Sequence, residues 1–179
     1  MTAILTRDLL MNFLMGLTAL VILVLSAIAP AAETDPIDPP GNLIASAAWP
    51  AGAIDVDLWV KAPGDDPVGY SHKSGKVWSL LRDDLGTAND GTPLNYESAF
   101  TRGLPDGEYI VNVRCYGCAG KVPVPVAVEV RLATGVLVWS GVVTLVSDKQ
   151  EKTALRFVMR SGAVVPGSAS HVFREIRGK

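Results

Sequence analysis

One carboxylate stands at the mouth of the longest apolar stretch in this chain. Asp8, directly after Arg7, precedes a predominantly apolar run from Leu9 to Ala29, which Pro30 follows. An ionisable group at the end of a membrane span is costly unless it faces water or a partner, and such groups often mark ion paths. Asp8 is therefore a candidate ion-carrying residue. The alternative is that Asp8 and Arg7 lie in the head-group layer as the cytoplasmic end of an anchor.

The cysteines are a second candidate for chemistry. Cys115 and Cys118 are the only two in the chain, and they stand at the end of a predicted strand beside a glycine. In an oxidising compartment they can close a short disulfide loop if their Cα atoms come within about 7 Å. A redox role would need a helix amino terminus to lower a thiol pKa. Zinc would need two ligands besides the cysteines, and His72 and His171 are isolated single histidines. We expect a structural disulfide or a free pair.

Acidic side chains offer a third chemistry, the binding of calcium. Asp55 and Asp57 fall on one outward face of a predicted strand. Calcium takes six to eight oxygen ligands, so acids from nearby loops would have to join them. The loop acids are Asp65, Asp66, Asp83, Asp84 and Asp90. No EF-hand spacing accompanies them, and the alternative is the ordinary acidity of surface strands and turns.

No catalytic constellation is evident in the sequence. It has no nucleophile elbow, no phosphate-binding glycine loop and no histidine-rich metal spacing. Its 16 Lys and Arg residues are outnumbered by 18 Asp and Glu residues, for a net charge of −2. The bases are dispersed, without the stripe that nucleic-acid binding needs. We expect a non-enzyme with no catalytic residue, no bound cofactor and no nucleic-acid partner.

The apolar run from Leu9 to Ala29 is the element that holds Asp8 in place. At about 1.5 Å per residue it is long enough to cross a hydrocarbon core of about 30 Å. The alternative is a secretory signal peptide cleaved before Ala32, since Ala29-Pro30-Ala31 has the small-x-small pattern of a cleavage site. Signal peptides have a shorter apolar core, about 7–15 residues, behind a clearly basic start. The apolar run here is longer than that, and its only early base, Arg7, stands next to an acid, so the sequence favours a retained transmembrane anchor.

Charges on either side of the span predict its orientation. Arg7 lies on the amino side, whereas Glu33, Asp35 and Asp38 lie on the carboxyl side. Positive charge stays in the cytoplasm. We therefore expect a bacterial inner-membrane protein with a cytoplasmic amino terminus and everything after about residue 33 outside that membrane.

Polar and small residues form one stripe along the predicted helix. Steps of three or four from Asp8 reach Asn12, then Met15 or Gly16, then Ala19, Leu23 and Ser26. Residues at this spacing share a helix face. The stripe is predicted to face a pore or a packed helix, because the remaining positions are mostly bulky and apolar.

The segment Thr6-Arg7-Asp8-Leu9-Leu10-Met11-Asn12-Phe13-Leu14-Met15-Gly16 resembles the span of the MotB, ExbD and TolR proteins, the small subunits of ion-driven stator complexes. The resemblance covers residues 6–30. It implies that Asp8 carries a proton or a sodium ion. It also implies a homodimer inside a ring of multi-span MotA-, TolQ- or ExbB-like subunits. Beyond the span the resemblance stops, since neither the flagellar peptidoglycan-binding region nor an ExbD/TolR periplasmic domain is evident.

The rest of the chain predicts one all-β domain. Residues 1–32 hold the cytoplasmic start and the span, 33–41 a proline- and acid-rich linker, 42–160 the domain and 161–179 a tail or edge strand. Apolar and polar residues alternate from Ile54 to Lys61, a period of two that is typical of strands. The other predicted strands are Tyr109–Arg114, Val122–Leu132, Val136–Val146 and Leu155–Met159. Turn residues such as those in 63–66, 89–92 and 105–107 separate such segments, which favours an antiparallel β-sandwich.

Two segments of this domain, Asp55-Val56-Asp57-Leu58-Trp59-Val60 and Leu104-Pro105-Asp106-Gly107-Glu108-Tyr109, resemble bacterial pre-peptidase carboxy-terminal domains. Those domains are accessory modules that bind or present rather than catalyse. The sequence thus predicts a small stator-like subunit whose sandwich acts outside the membrane. The alternative is an anchored or secreted sandwich that recognises an envelope component, a peptidoglycan-associated ligand or another protein.

Overall fold

The computed structural model describes residues 2–27, 41–86 and 93–177. The chain divides into two units, residues 1–37 and 38–179. The linker residues 33–40 and the predicted turn 89–92, including Asp90, lie outside the described residues. The first unit contains one helix, α1, which spans Thr2–Ala27. It therefore begins before Leu9, because Ala3, Ile4 and Leu5 continue the apolar pattern towards the amino terminus.

The second unit consists of short strands in two antiparallel sheets, which confirms the predicted β-sandwich. The strands are β1 Leu43–Trp49, β2 Asp55–Lys61, β3 Trp78–Arg82, β4 Asn95–Thr101, β5 Gly107–Gly117, β6 Val124–Leu132, β7 Leu137–Leu145, β8 Glu151–Arg160 and β9 Ala163–Val164. One sheet has the order β3-β4-β1-β6-β7 and the other β2-β5-β8-β9.

The core lies between the facing sides of the two sheets. Alternate residues of each strand point into it, as the pleat requires; in β6 these are Val124, Val126, Val128 and Val130. Tyr109 is fully buried and stacks on Phe157, with ring centroids 5.4 Å apart. Its hydroxyl donates to the carbonyl of Pro105 at 2.9 Å, the geometry of the tyrosine corner of β-sandwiches. The Leu104–Tyr109 segment thus fixes the entry into β5.

The tail after residue 160 lies along the outer edge of β8. Ser170 and Arg156 exchange two backbone hydrogen bonds of 2.8 Å each. Further on, the backbone N–H of Arg174 donates to Thr153 Oγ1 at 2.9 Å. Within the segment 161–179, predicted to be a tail or edge strand, Ala163–Val164 pairs with the end of β8, whereas residues 171–173 are not part of a strand. Ile176 reaches the outer face of the β2 sheet and is buried there.

The contact with Ile176 covers the outer face of β2, which the sequence predicts to be exposed to solvent. Its outer face was predicted to be polar and solvent-facing, yet Asp57 and Trp59 are both buried. Trp59 packs with Ile110 and Ile176, and the ring of Tyr70 meets it edge-on at 5.6 Å. The alternation in the sequence identifies the strand correctly but cannot reveal that distant segments cover its second face.

Candidate functional site

Asp8 lies within α1 rather than in front of it. The apolar stretch of the helix that is long enough to cross a membrane runs from Ala3 to Leu25 and contains both Asp8 and Arg7. A cleaved signal sequence would meet the same criteria of length and composition. Asp8 lies about 8 Å from the start of this stretch, at about 1.5 Å per residue. Its Oδ1 atom is 3.8 Å from Arg7 Nε.

The predicted stripe lies on the same side of α1 as Asp8. Asn12, Gly16 and Ala19 follow it by 4, 8 and 11 residues, which places them on one helix face. A Cβ atom at Gly16 would meet nothing within 4 Å. Ser26 lies in the helix, but its side chain is outside the described part of the structure. The side chains of residues 3–25 are all exposed.

The sandwich contains a group of carboxylates that we call the acidic edge: Asp55, Asp57, Asp83, Asp84 and Glu97. Glu97 points from β4 to the outer edge of β2, where its Oε2 accepts a 2.6 Å hydrogen bond from the Leu58 N–H. Its Oε1 accepts a longer bond of 3.4 Å from the Asp84 N–H. Glu97 therefore links the two sheets.

Burial controls the protonation of this edge. It raises the pKa of Glu97 to about 9, aided by the charges of Asp57 and Asp83 and opposed by the Leu58 N–H. Burial likewise raises the pKa of Asp57 to about 7, helped by Asp55 and offset in part by Arg114. The second carboxylate oxygen of Asp57, Oδ2, is buried and accepts no hydrogen bond from the described residues. With a pKa of about 9, the Glu97 side chain is protonated and neutral at pH 7.

Other acids suggested for calcium have structural contacts. Asp65 is buried, which alone would raise its pKa, but the N–H groups of Lys76, Val77, Trp78 and Asp66 lower it overall. These four groups lie within 2.8–3.1 Å of its oxygens. Asp83 pairs with Lys73 at 2.8 Å. These contacts do not test the calcium prediction for Asp55 and Asp57, which stays a prediction.

The two cysteines are joined. Cys115 and Cys118 form a disulfide bond at the end of β5, with their Cα atoms 5.6 Å apart, and both are fully buried. The N–H of Cys118 donates to Asp148 Oδ1 at 2.9 Å. Among the described residues this is also the one place where three side chains of metal-ligating type come together. Because two of them are oxidised sulfurs, the group is not a thiolate metal site.

The histidines lie apart. His171 Nδ1 is 2.6 Å from the carbonyl oxygen of Ala154, and its ring packs against Trp139 at 5.2 Å. The backbone of His72 pairs with Gly69 in a turn. Over the described ranges no hydrogen bond joins a serine, threonine or cysteine to a histidine side chain. We found no match to this chain among protein-family models, curated proteins or solved structures.

Glu97 is the site residue that sequence reasoning missed. It stands in Asn95–Thr101, a strand of mixed polarity that the hydrophobic pattern did not indicate. A signal was present, because Glu97 shares its phase in that strand with the buried Ala99 and Thr101. A charged residue on the buried phase of a strand must find a partner or become neutral.

Proposed function

We propose that this protein is the small single-span subunit of an ion-driven complex of the bacterial inner membrane, and that Asp8 carries the ion. The observation that supports this most is the position of Asp8 inside the apolar stretch Ala3–Leu25. It is the only acid in α1. A carboxylate there can bind a proton or sodium ion and release it across an apolar barrier.

The cost of charge in a bilayer requires a partner. An Asp or Arg at the centre of a span costs roughly 2.5–3.5 kcal/mol, and less near its end. Arg7 is only 3.8 Å from Asp8 and compensates part of that cost. Both side chains are largely exposed on α1. A ring of multi-span subunits around two copies of α1 would supply the polar path that one helix cannot form.

The stripe below Asp8 suits such an assembly. Gly16 and Ala19 are small, and small residues let transmembrane helices approach closely. Asn12 lies one turn from Asp8 on the same face, where its amide can help to hold the ion. The bulky apolar residues on the other sides, including Phe13 and Leu17, then face lipid or the apolar walls of the ring.

The sandwich belongs outside the membrane in this proposal. The Cys115–Cys118 disulfide supports that placement, since structural disulfides persist in oxidising compartments. Arg7 near the amino end of the span and the acids after the span agree with the same orientation. The domain would transmit or anchor the motion of the complex, through an envelope or peptidoglycan-associated ligand.

The test is proton flux through the purified complex. The full-length protein is isolated from its native host in mild detergent with its co-purifying subunits. Proton entry is then followed with a pH-sensitive dye in vesicles. Asp8→Asn should reduce the flux to that of protein-free vesicles while the same subunits co-purify. Thr18→Val is the matched control, because it removes a polar group of the same helix that donates only to the Leu14 carbonyl and does not belong to the Asp8 stripe, and it should retain flux. Unaltered flux in Asp8→Asn would exclude the carrier role.

Intact mass in the same preparation tests the rival function. A retained amino terminus with a multi-span partner supports the ion-driven complex. A soluble chain that starts near Ala32 and has no partner would mean that α1 is a signal sequence. The sandwich would then carry the whole function, as a secreted binding module.

A further inference from the structure

A segment near the end of the chain covers a groove on the outer face of the β2 sheet. We call residues 170–177 the strap. Ser170 at its start exchanges two backbone hydrogen bonds of 2.8 Å with Arg156 on β8. Further on, the backbone N–H of Arg174 donates to Thr153 Oγ1 at 2.9 Å. The strap is therefore bound to the sheet through its backbone, as an extended peptide ligand would be.

Two side chains of the strap fill complementary places in the groove. Ile176 is buried against Trp59 and Ile110. Arg177 lies over the Trp59 ring at 5.8 Å, and its Nε is 2.7 Å from Glu151 Oε2. The Glu151 side chain is only 6% exposed. The groove thus places an apolar site beside a buried carboxylate, which suits an apolar residue followed by arginine.

One buried amide in the groove is only half used by the strap. Asn112 is fully buried, and its Nδ2 donates to the Arg174 carbonyl at 2.9 Å and to Glu151 Oε1 at 2.7 Å. Its Oδ1 is also buried and accepts no hydrogen bond from the described residues. A buried acceptor without a donor is costly. Each peptide group carries a donor as well as an acceptor, so a peptide that places an N–H here removes that cost.

Few apolar contacts hold the strap in place. His171 Nδ1 meets the Ala154 carbonyl at 2.6 Å, but the next two residues, Val172 and Phe173, are 69% and 52% exposed. Among residues 171–177, Ile176 alone is buried, and none of these residues belongs to a strand. Segments with few buried apolar contacts open locally before a whole domain unfolds. We therefore expect the strap to leave the groove while the sandwich stays folded.

We propose that this groove binds an extended segment of a partner protein in place of the strap, and that the segment carries an apolar side chain followed by arginine. The strap closes the groove until such a segment displaces it. The hydrogen bond that the partner donates to Asn112 Oδ1 favours the exchange. A peptide is the occupant because the groove binds the strap through a backbone carbonyl, an apolar side chain and a guanidinium. This inference goes beyond the proposed function and depends neither on Asp8 nor on the membrane anchor.

Peptide binding to the full-length protein tests the groove. The probe is a dye-labelled peptide with the sequence of residues 170–177, and fluorescence anisotropy in mild detergent measures its binding. The parent should bind the probe, because its strap can leave. Ile176→Asp should bind it about tenfold more tightly or better, since the parent's affinity is reduced by the small fraction of grooves that are open. The matched control is Phe173→Asp, at an exposed strap position, which should bind as the parent does.

Two results of this experiment would overturn the proposal. No binding to the parent would show that the strap does not leave the groove. Equal binding by the parent and Ile176→Asp would show that the probe binds elsewhere. Cooperative urea unfolding, followed by tryptophan fluorescence, checks that Ile176→Asp is folded. If it is not, Arg177→Glu replaces it, because this partly exposed side chain can change without a cavity, and it too should bind more tightly than the parent.

The arginine site is tested by its charge. In the Ile176→Asp chain, a probe that carries Arg177→Gln should bind about tenfold more weakly than the original probe. Adding Glu151→Gln to that chain should remove the preference, so that both probes bind equally. The same preference with and without the Glu151 carboxylate would refute the assignment of the groove.

The Asp8→Asn variant separates this inference from the proposed function. It should bind the probe as the parent does, because the groove does not use the ion. Loss of flux with unchanged probe binding would support both proposals. Flux that depends on Asp8 in a parent that binds no probe would support the ion-driven function and overturn the peptide groove.

Discussion

Replacing Glu97 by Gln should change how the stability of the sandwich depends on pH. Glu97 crosses from β4 to the edge of β2 and is 1% exposed. Its folded pKa is raised to about 9 from the ordinary 4.5. Folded protein therefore keeps a proton that the unfolded chain releases at any pH between these values. The resulting stability is fully present below pH 4.5 and is lost as the pH rises through 9.

The slope of this loss follows from linkage. One proton bound in the folded state and absent from the unfolded state changes the free energy of unfolding by about 1.4 kcal/mol per pH unit. Between pH 6 and pH 8, Glu97 should therefore remove about 2.7 kcal/mol. Asp57, whose pKa is about 7, adds to the decline below pH 7. Glu97→Gln cannot ionise and keeps an oxygen to accept the Leu58 N–H. The decline due to Glu97 should be absent from it.

Urea unfolding at pH 6, 7 and 8 measures this difference. All 4 tryptophans belong to the sandwich and none to α1, so their fluorescence reports on the sandwich alone. Glu175→Gln is the control, since Glu175 is exposed and should leave the parental slope unchanged. Parallel pH dependences for the parent and Glu97→Gln would show that Glu97 does not hold its proton in the folded state. The assignment of the acidic edge would then be wrong.

Two further substitutions test the supports of the fold. Asp65→Asn should lower the free energy of unfolding by about 2 kcal/mol at pH 7, because a charged acceptor of four backbone N–H groups is lost. The lowered pKa of Asp65 provides stability above its ordinary value of 3.8 that disappears as the pH falls. In urea titrations, the difference in the free energy of unfolding between Asp65→Asn and the parent should therefore shrink below pH 4. The control is Asp66→Asn at the exposed neighbouring residue, which should have little effect at pH 7 or below pH 4. Tyr109→Phe should cost about 1 kcal/mol, since the buried hydroxyl donates to Pro105. An unchanged urea midpoint for Tyr109→Phe would show that the hydrogen bond from Tyr109 to Pro105 does not stabilise the start of β5. Tyr116→Phe, which removes the hydroxyl of an exposed ring, is the matched control.

Patterns that are local in sequence predicted most of the architecture. A period of two identified β2, and the β-branched runs identified β6, β7 and β8 to within a few residues, because strand alternation depends only on neighbours along the chain. The strands β1, β3 and β4 escaped this reasoning. In β1, Leu43–Trp49 alternates between buried and half-buried positions, but four of its seven residues are alanine or serine, which have little strand preference.

The sequence by itself determined the apolar helix with its single acid, the β class of the domain and the separation of the two cysteines by two residues. Only the tertiary structure decided which polar residues are buried. Glu97 meets Leu58 from 39 positions away, and Ile176 covers Trp59 from the far end of the chain. Burial and edge pairing depend on which distant segments fold against each other, and no local periodicity contains that information.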